Sequence, residues 1–251
     1  MKLSVVPKHP SEAVGDYAYR ILHRSITHVE LKPGECISPA TVAAELNMSR
    51  TPIHKAFSRL TADGLLNVYP QRGSYVSMID IARVYESVYL RNLLDQASLR
   101  VLCSRSVDDQ KLSALEENIH WQRFYYDKGM FSQVMDTDSK FHQMIYALSD
   151  LENIHKTLHG ITQDQQRVRY LKLDARMRWE QTVDEHMDLV ESIRNRDGEK
   201  ACYLSYLHVS RFGVDIKAVY ELYPDYFTNW ESFSLDRFSY QVDTFYNLQQ
   251  I

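Results

Sequence analysis

The chain has 251 residues, of which 44% are hydrophobic and 25% are charged, a composition that indicates a globular protein of one large domain or two ordinary ones. No apolar run is long enough to cross a membrane, and the N-terminal residues lack the apolar core of a signal peptide. Cys36, Cys103 and Cys202 are far apart, which argues against a disulfide framework or a thiolate zinc site and favours a reducing cytoplasm.

The net charge of −4 is distributed unevenly along the chain. Residues 1–78 hold nine Lys or Arg and six Asp or Glu, a balance of +3, whereas residues 79–251 hold twenty and twenty-seven, a balance of −7. A mildly basic head on an acidic body is typical of a DNA-binding module joined to a separate effector domain. Chance variation in a short segment is the alternative explanation.

Two helices are predicted at the start of the chain. Residues 11–28 carry apolar side chains at helical spacing and predict an amphipathic helix. After a turn, Ser38 and Pro39 stand in the order of an N-cap and a first helical residue. This order predicts a second helix that runs to Leu46.

Residues 47–60 predict the turn and the second helix of a helix-turn-helix. Ser49 is a suitable N-cap, and Pro52 lies within the first turn, where a missing N–H costs little. One apolar face is formed at three- and four-residue steps by Ile53, Ala56, Phe57 and Leu60. Polar and basic side chains near the helix start point elsewhere, which suits entry into the major groove of DNA. Gly64 is the expected residue after the helix end.

A hairpin is predicted after this helix. Residues 65–69 and 74–77 are β-prone, and the basic, glycine-containing tip between them carries Arg72 and Gly73. Three helices and a hairpin form a winged helix-turn-helix, so residues 1–78 are predicted to be a DNA-binding domain.

Strand signals disappear after about residue 79, so the chain as a whole is predicted to be mainly α. Helices are expected near residues 80–105, 107–128, 131–149, 151–173, 178–196 and 198–221. Their short connections are typical of an antiparallel bundle. Residues 79–222 are therefore predicted to form an all-α domain, and the aromatic-rich residues 223–251 to pack on the bundle or on a second subunit.

Four side chains of the bundle have the spacing of a possible metal site. Asp138 and His142 lie four residues apart and share one helix face. His186 and His208 lie on either side of a tight turn, so antiparallel packing would set them at similar heights. Three imidazoles and a carboxylate suit Zn²⁺, Ni²⁺, Mn²⁺ or Fe²⁺ better than Ca²⁺. Spacing alone leaves a second interpretation open, because most such histidines bind nothing.

Residues 31–76 resemble the GntR family of bacterial transcription regulators in the stretches LKPGE, VAAELNMSRTPIHKAFSRLTADGLL and QRGSYV. The second half resembles the all-helical effector-binding domain of that family, called FCD. The matching positions there are Arg91, Leu94, Asp95, Asp138, Phe141, His142, Asn153, Glu185, His186 and His208. The resemblance spans about residues 11–215.

The resemblance implies which residues carry each function. DNA contacts would come from Ser49, Arg50, Thr51, His54, Arg72 and Gly73. The metal ligands would be Asp138, His142, His186 and His208. Arg91 would hold a carboxylate of a small organic acid effector, with a surface ion pair to Asp95 as the alternative. Arg167, Arg169 and Tyr170 are further candidates for the lining of the cavity.

The resemblance also implies a homodimeric regulator, such as a repressor, that binds a palindromic double-stranded DNA operator and responds to its effector. His54 and Ala40 depart from the family, which often has basic residues at these positions. A metal-dependent hydrolase is the alternative function, because metal-bound water is a nucleophile. Glu185 is expected to point away from the metal, which leaves that enzyme without a general base. A structural bundle without metal is a third interpretation.

Overall fold

The computed structural model describes residues 3–177, 179–210, 212–231 and 233. The N-terminal part consists of three helices and a small sheet. The helices are α1 (Val14–Thr27), α2 (Pro39–Glu45) and α3 (Arg50–Ala62). The strands are β1 (Cys36–Ile37), β2 (Leu66–Tyr69) and β3 (Gly73–Val76), antiparallel in the order β1-β3-β2. This arrangement is the predicted winged helix-turn-helix.

The core of this head is built from the apolar faces of α1 and α3. Ile21 and Ile26 of α1 pack with Ile53 and Leu60 of α3, and all four are fully buried. Burial of each such side chain contributes about 1.5–3 kcal/mol. Gly64 follows the end of α3 with a φ of +73°, a left-handed conformation that glycine adopts without strain, as predicted.

The wing is the β2–β3 hairpin, which reverses over a tight turn. Arg72 N–H donates to Tyr69 O at 3.0 Å, and Gly73 has a φ of +109°, a conformation that disfavours any residue with a Cβ atom. The third strand, β1, was not predicted. It pairs through two residues only, with Cys36 opposite Tyr75, which is too short to leave a periodic pattern.

The rest of the described chain is almost entirely helical. The helices are α4 (Ile81–Cys103), α5 (Asp109–Asp127), α6 (Phe131–Leu148), α7 (Glu152–Ile161), α8 (Gln163–Asp174), α9 (Glu180–Arg194), α10 (Gly198–Ser210) and α11 (Phe212–Leu222). Two short strands, β4 (Ile79–Asp80) and β5 (Phe227–Thr228), pair in parallel. Within the residues described, no helix is long and apolar enough to cross a membrane.

Three expectations about the bundle are corrected. The single helix predicted over residues 151–173 is two helices, because Thr162 has a ψ of 16° and Gly160 lowers the local helix propensity. Residues 198–221 hold α10 and α11, and residue 211 between them lies outside the described residues. Strands do occur after residue 79, but β4 and β5 have two residues each and give no alternating pattern.

The described part of the aromatic C-terminal segment packs on the bundle. Phe233 stacks on Tyr85 of α4 with ring centroids 4.6 Å apart, and Trp230 stacks on Tyr220 of α11 at 3.9 Å. Phe227 is buried in the same cluster. The expected extension continues to residue 251, and its residues after 233 lie outside the described part of the chain.

A buried ion pair on α8 holds the segment that joins the head to the bundle. The Arg167 guanidinium is fully buried, and it donates to Ser77 O at 2.6 Å and to Met78 O at 3.0 Å. It also pairs with Asp164, whose carboxylate accepts from the backbone N–H of Asp80 at 3.3 Å. Helix α8 therefore fixes the path of the linker between the two parts of the molecule.

A second contact joins α1 directly to the bundle. Arg24 Nη1 donates to Asp136 Oδ2 at 2.8 Å, and His28 Nδ1 lies 3.0 Å from Ser132 Oγ. The His28 ring also stacks on Tyr170 of α8 with centroids 5.0 Å apart. The head thus contacts both α6 and α8.

Candidate DNA-binding surface and metal centre

The start of α3 presents polar side chains to solvent. Arg50, Thr51 and His54 are exposed, while the opposite face of the helix is buried in the head. Ser49 is exposed and occupies the N-cap position as predicted, but its hydroxyl makes no capping hydrogen bond. The free N–H groups and the dipole of a helix N-terminus favour a phosphate, and a guanidinium can pair with the O6 and N7 of guanine.

The tip of the wing presents a second exposed cationic side chain. Arg72 and Gly73 are both exposed at the turn between β2 and β3. Within the described residues, neither Arg50 nor Arg72 forms an ion pair. The six predicted DNA-contact residues therefore lie on two exposed parts of the head, the N-terminus of α3 and the wing tip.

The bundle brings three histidines together from three helices. His142 lies on α6, His186 on α9 and His208 on α10, and one ligand nitrogen of each lies within 4.8 Å of the others. Asp138, one turn before His142, approaches the same point, with its Oδ1 atom 3.9 Å from His186 Nε2. The sequence prediction that antiparallel helices set His186 and His208 at similar heights is confirmed, because their ring centroids are 4.9 Å apart.

Two buried atoms of this cluster have no hydrogen-bond partner in the described part of the chain. They are Asp138 Oδ1 and His186 Nε2, the two atoms that face each other at 3.9 Å. An unsatisfied buried polar atom costs about 1–3 kcal/mol, so two that face each other call for a partner between them, such as a water or an ion. A divalent cation between them would satisfy both, and a set of three imidazole nitrogens and one carboxylate suits Zn²⁺, Ni²⁺, Mn²⁺ or Fe²⁺.

Hydrogen bonds from neighbouring helices orient the rings. Gln122 Oε1 lies 3.0 Å from His186 Nδ1, so Nδ1 is the donor and Nε2 is turned toward Asp138. Glu185 Oε2 accepts in the same way from His208 Nδ1 at 2.7 Å. The expectation that Glu185 points away from the cluster is therefore wrong. Its carboxylate accepts from Nδ1 of the His208 ring and so positions that histidine, with Nε2 as the ring's other nitrogen.

Two arginines also contact the cluster. Arg91 Nη2 donates to His142 Nε2 at 2.7 Å, and Arg169 donates to Asp138. Arg91 also pairs with Asp95 at 3.1 Å, but both side chains are buried, so the interpretation of a surface ion pair is wrong. Arg91 and Arg169 therefore each contact one candidate metal ligand, His142 or Asp138, in the interior of the bundle.

The protonation states of the cluster suit cation binding. Burial lowers the pKa of His142 and His186 well below the usual value, and it lowers the pKa of His208 to about 3. The imidazoles are therefore neutral at pH 7, and a cation would take the place of Arg91 at the His142 Nε2 lone pair. Burial alone would raise the pKa of Asp138, but Arg169, His186 and Arg91 together more than offset this and hold that pKa below its usual value.

The cavities at the cluster are small. One of about 10 Å³ is lined by His186 and His208, and one of about 40 Å³ is lined by Arg91, His142 and Arg169. A single water occupies about 10–15 Å³ on such a measure. The cluster therefore has space for an ion and a few waters, and an organic acid needs the two arginine side chains to move.

Two family matches cover most of the chain. Residues 15–76 match bacterial regulatory proteins of the gntR family, and residues 86–211 match the FCD domain. The chain belongs to the GntR family. It is a DNA-binding transcription regulator of the GntR/FCD type, and the resemblance seen in the sequence is confirmed.

Individual relatives agree with this membership, and a solved structure agrees with the fold. The GntR/FCD chain is 29% identical over 220 residues to the HTH-type transcriptional repressor RspR of Escherichia coli, covering 88% of this chain and 96% of that protein. It is 25% identical over 182 residues to the Nta operon transcriptional regulator of Aminobacter aminovorans, covering 72% and 83%. The structure of E. coli McbR/YncC matches with a TM-score of 0.72 at 19% identity, covering 84% of this chain and 99% of that one.

These matches decide between the alternatives for activity. The matched domains and relatives are transcriptional regulators, so the GntR/FCD chain is not an enzyme and the hydrolase alternative is wrong. Sequence reasoning missed Gln122 and the specific roles of Arg169 and Arg167. Arg169 lines the cavity as anticipated, but Arg167 contacts the linker and Tyr170 contacts the head.

Proposed function

We propose that this regulator binds a palindromic operator as a homodimer and that a metal-bound small organic acid in the bundle changes its operator affinity. The observation that carries the proposal is the buried cluster itself. Asp138, His142, His186 and His208 converge from three helices, and two of their atoms face each other without partners. The repressor name of RspR supports the same role for this chain.

On the DNA side, the proposal assigns different roles to the exposed residues. Arg50 would read a guanine edge in the major groove, while Ser49 and Thr51 would donate to phosphates. His54 lies one turn further along α3, and the Arg72–Gly73 tip would enter the minor groove. A dimer would present two such heads to two half-sites, so that the symmetry of the operator matches that of the protein.

In the bundle, the four ligands would hold Zn²⁺, Ni²⁺, Mn²⁺ or Fe²⁺, and the metal would supply a Lewis-acidic anchor for a carboxylate. Arg91 and Arg169 would bind the same ligand. Each already contacts a cluster side chain, and a guanidinium pairs with a carboxylate through two parallel hydrogen bonds. A small organic acid is therefore the effector class that the cluster favours.

Helix α8 offers a route from this site to the head. Arg169 reaches Asp138, Arg167 holds the linker, and Tyr170 stacks on His28 of α1. An effector that draws Arg169 away from Asp138 would displace the helix that also positions the linker and α1. Such a ligand changes operator affinity only if it favours one placement of the head over the other.

The test measures metal content and DNA binding in the same preparations. Protein purified without chelator or affinity tag is analysed for metal, and operator affinity is measured by fluorescence anisotropy with a fragment selected from genomic DNA. The parent and the control variant His120→Ala, which changes an exposed histidine outside the cluster, should contain stoichiometric metal.

The variant His208→Ala should lose metal and effector response, while its operator affinity stays within about twofold of that of the chelator-treated, metal-free parent, because the head is untouched. Equal metal content in His208→Ala and His120→Ala would contradict the metal assignment. No salt-sensitive specific complex with any genomic fragment would contradict the operator proposal.

A further inference from the structure

A cleft of about 510 Å³ lies between the head and the bundle. Helix α1 forms one wall, and residues of α6, α7 and α8 form the other. Its volume falls in the range of sites for small molecules, about 300–1,000 Å³. The cavities at the histidine cluster measure about 10 and 40 Å³. The cleft thus has the space for a metabolite that the cluster lacks in this conformation.

The charged side chains that line the cleft are mostly basic. Four are cationic and one is acidic, and they are Arg20, Arg24, Lys140, Lys156 and Asp136. Arg20 is held by Glu12 at 2.7 Å and Arg24 by Asp136 at 2.8 Å, which fixes both guanidinium groups in place. In contrast, Lys140 Nζ donates to Gln143 Oε1 at 3.0 Å, and within the described residues no carboxylate pairs with it.

One further observation points to an anion in this cleft. The Nε atom of Arg24 is buried without an acceptor among the described residues, which leaves one donor of that guanidinium unsatisfied. His28 also lines the cleft, and burial, followed by the positive charge of Arg24, lowers its pKa to about 4, so its ring is neutral at pH 7 and the cationic groups of the wall are the arginines and lysines.

The cleft is also continuous with the region of the cluster. Ser139, His155 and Gln166 line both the cleft and the cavity of about 40 Å³ that reaches Arg91 and His142. Each wall of the cleft belongs to a different part of the molecule, so the width of the cleft depends on the placement of the head. A ligand that contacts both walls would favour the placement described here.

We propose that this interdomain cleft is a second ligand site, which binds a small organic anion with a phosphate or carboxylate group through Lys140, Lys156 and the arginines of α1. This site is distinct from the proposed effector site at the histidine cluster, because no arginine or lysine side chain belongs to both. Its ligand bridges the head and the bundle and thereby changes operator affinity.

The experiment uses pyrophosphate and citrate as probes, titrated by calorimetry into the full chain at constant ionic strength. The double variant Lys140→Gln/Lys156→Gln should weaken binding of the preferred probe by about tenfold or more, equivalent to about 1.4 kcal/mol. The control Lys111→Gln/Lys200→Gln removes the same charge from exposed positions outside the cleft and should retain the affinity of the parent. His208→Ala should also retain it, because the cleft does not include that residue.

Preference for either probe supports the proposal and identifies the anionic group. The preferred probe should also shift the operator affinity of the parent and of the control double variant, and have a smaller effect on Lys140→Gln/Lys156→Gln. Three results would overturn the proposal: no saturable binding of either probe, equal losses in the two double variants, or loss of binding in His208→Ala, which would place the anion at the histidine cluster.

Discussion

The head and the bundle place their candidate functional residues in opposite surroundings. In the head, Arg50 and Arg72 are exposed and lie on short segments whose backbone conformation is set locally. In the bundle, Asp138 and His186 are almost completely buried and depend on side chains from other helices. Substitutions of these two exposed arginines should therefore affect DNA binding alone, whereas substitutions around the cluster should affect both metal binding and folding.

The largest expected effect is at the junction between the two parts. Arg167→Ala should reduce the free energy of unfolding by about 3–5 kcal/mol, because it removes the buried partner of Asp164 and leaves that buried carboxylate with only the more exposed Arg83, 3.7 Å away. Urea unfolding measures this change. Arg123→Ala, which removes one partner of an exposed ion pair, should cost at most about 1 kcal/mol. Similar losses in the two variants would contradict the role of Arg167 as a buried clamp.

Acidification should destabilise the chelator-treated protein. His28, His142, His186 and His208 each have a folded-state pKa below the ordinary value of 6.5. The unfolded chain therefore binds more protons, and the free energy of unfolding falls as the pH decreases from about 6.5 toward the folded-state values. Each histidine contributes at most about 1.4 kcal/mol per pH unit. Urea unfolding at pH 7, 6 and 5 tests this expectation, and a constant free energy would refute it.

The hydrogen bond that His186 donates to Gln122 should matter for metal affinity. Gln122→Leu removes the acceptor that turns the ring, so metal affinity should fall by about 10–100-fold. Competition with a chromophoric chelator measures it. Gln181→Leu, at an exposed position on α9, is the matched control. Equal affinities in the two variants would show that Gln122 does not orient a ligand.

Arg50 tests the independence of the head. Arg50→Ala should weaken specific operator binding by about 1–3 kcal/mol if its guanidinium reads a base edge. The free energy of unfolding should not change, because the side chain is exposed and forms no ion pair within the described residues. Anisotropy with the operator and with a scrambled duplex separates base reading from phosphate contact. Equal losses on the two duplexes would assign Arg50 to the phosphate backbone.

The smallest expected effect is a difference in stability between substitutions of two serines at helix N-termini. Ser38 Oγ accepts from the Thr41 N–H at 3.0 Å, whereas Ser49 makes no capping bond. Ser38→Ala should therefore cost about 1 kcal/mol of stability, and Ser49→Ala should cost less than about 0.5 kcal/mol while weakening DNA binding. Thermal unfolding and anisotropy distinguish the two. Equal destabilisation would indicate that Ser49 is a structural cap.

These contrasts also explain what could be predicted from the sequence. The helix start at Arg50 and the turn at Gly64 follow from local signals, because caps and glycines act within a few residues. Helix periodicity and the family resemblance predicted that His186 and His208 lie close together, as they do. The contacts of Gln122 and Arg169 could not be predicted, because each reaches the cluster from a different helix and neither has a spacing rule that links it to a ligand.

The central claim is that helix α8 couples the cluster to the head, and reciprocal linkage tests it most directly. If metal at the cluster changes operator affinity, operator must change metal affinity by the same factor, about 5–150-fold for typical coupling. The measurement is a metal titration of the full chain with and without saturating operator DNA. The account predicts two different isotherms whose ratio equals the change in operator affinity, and superimposable isotherms would contradict it.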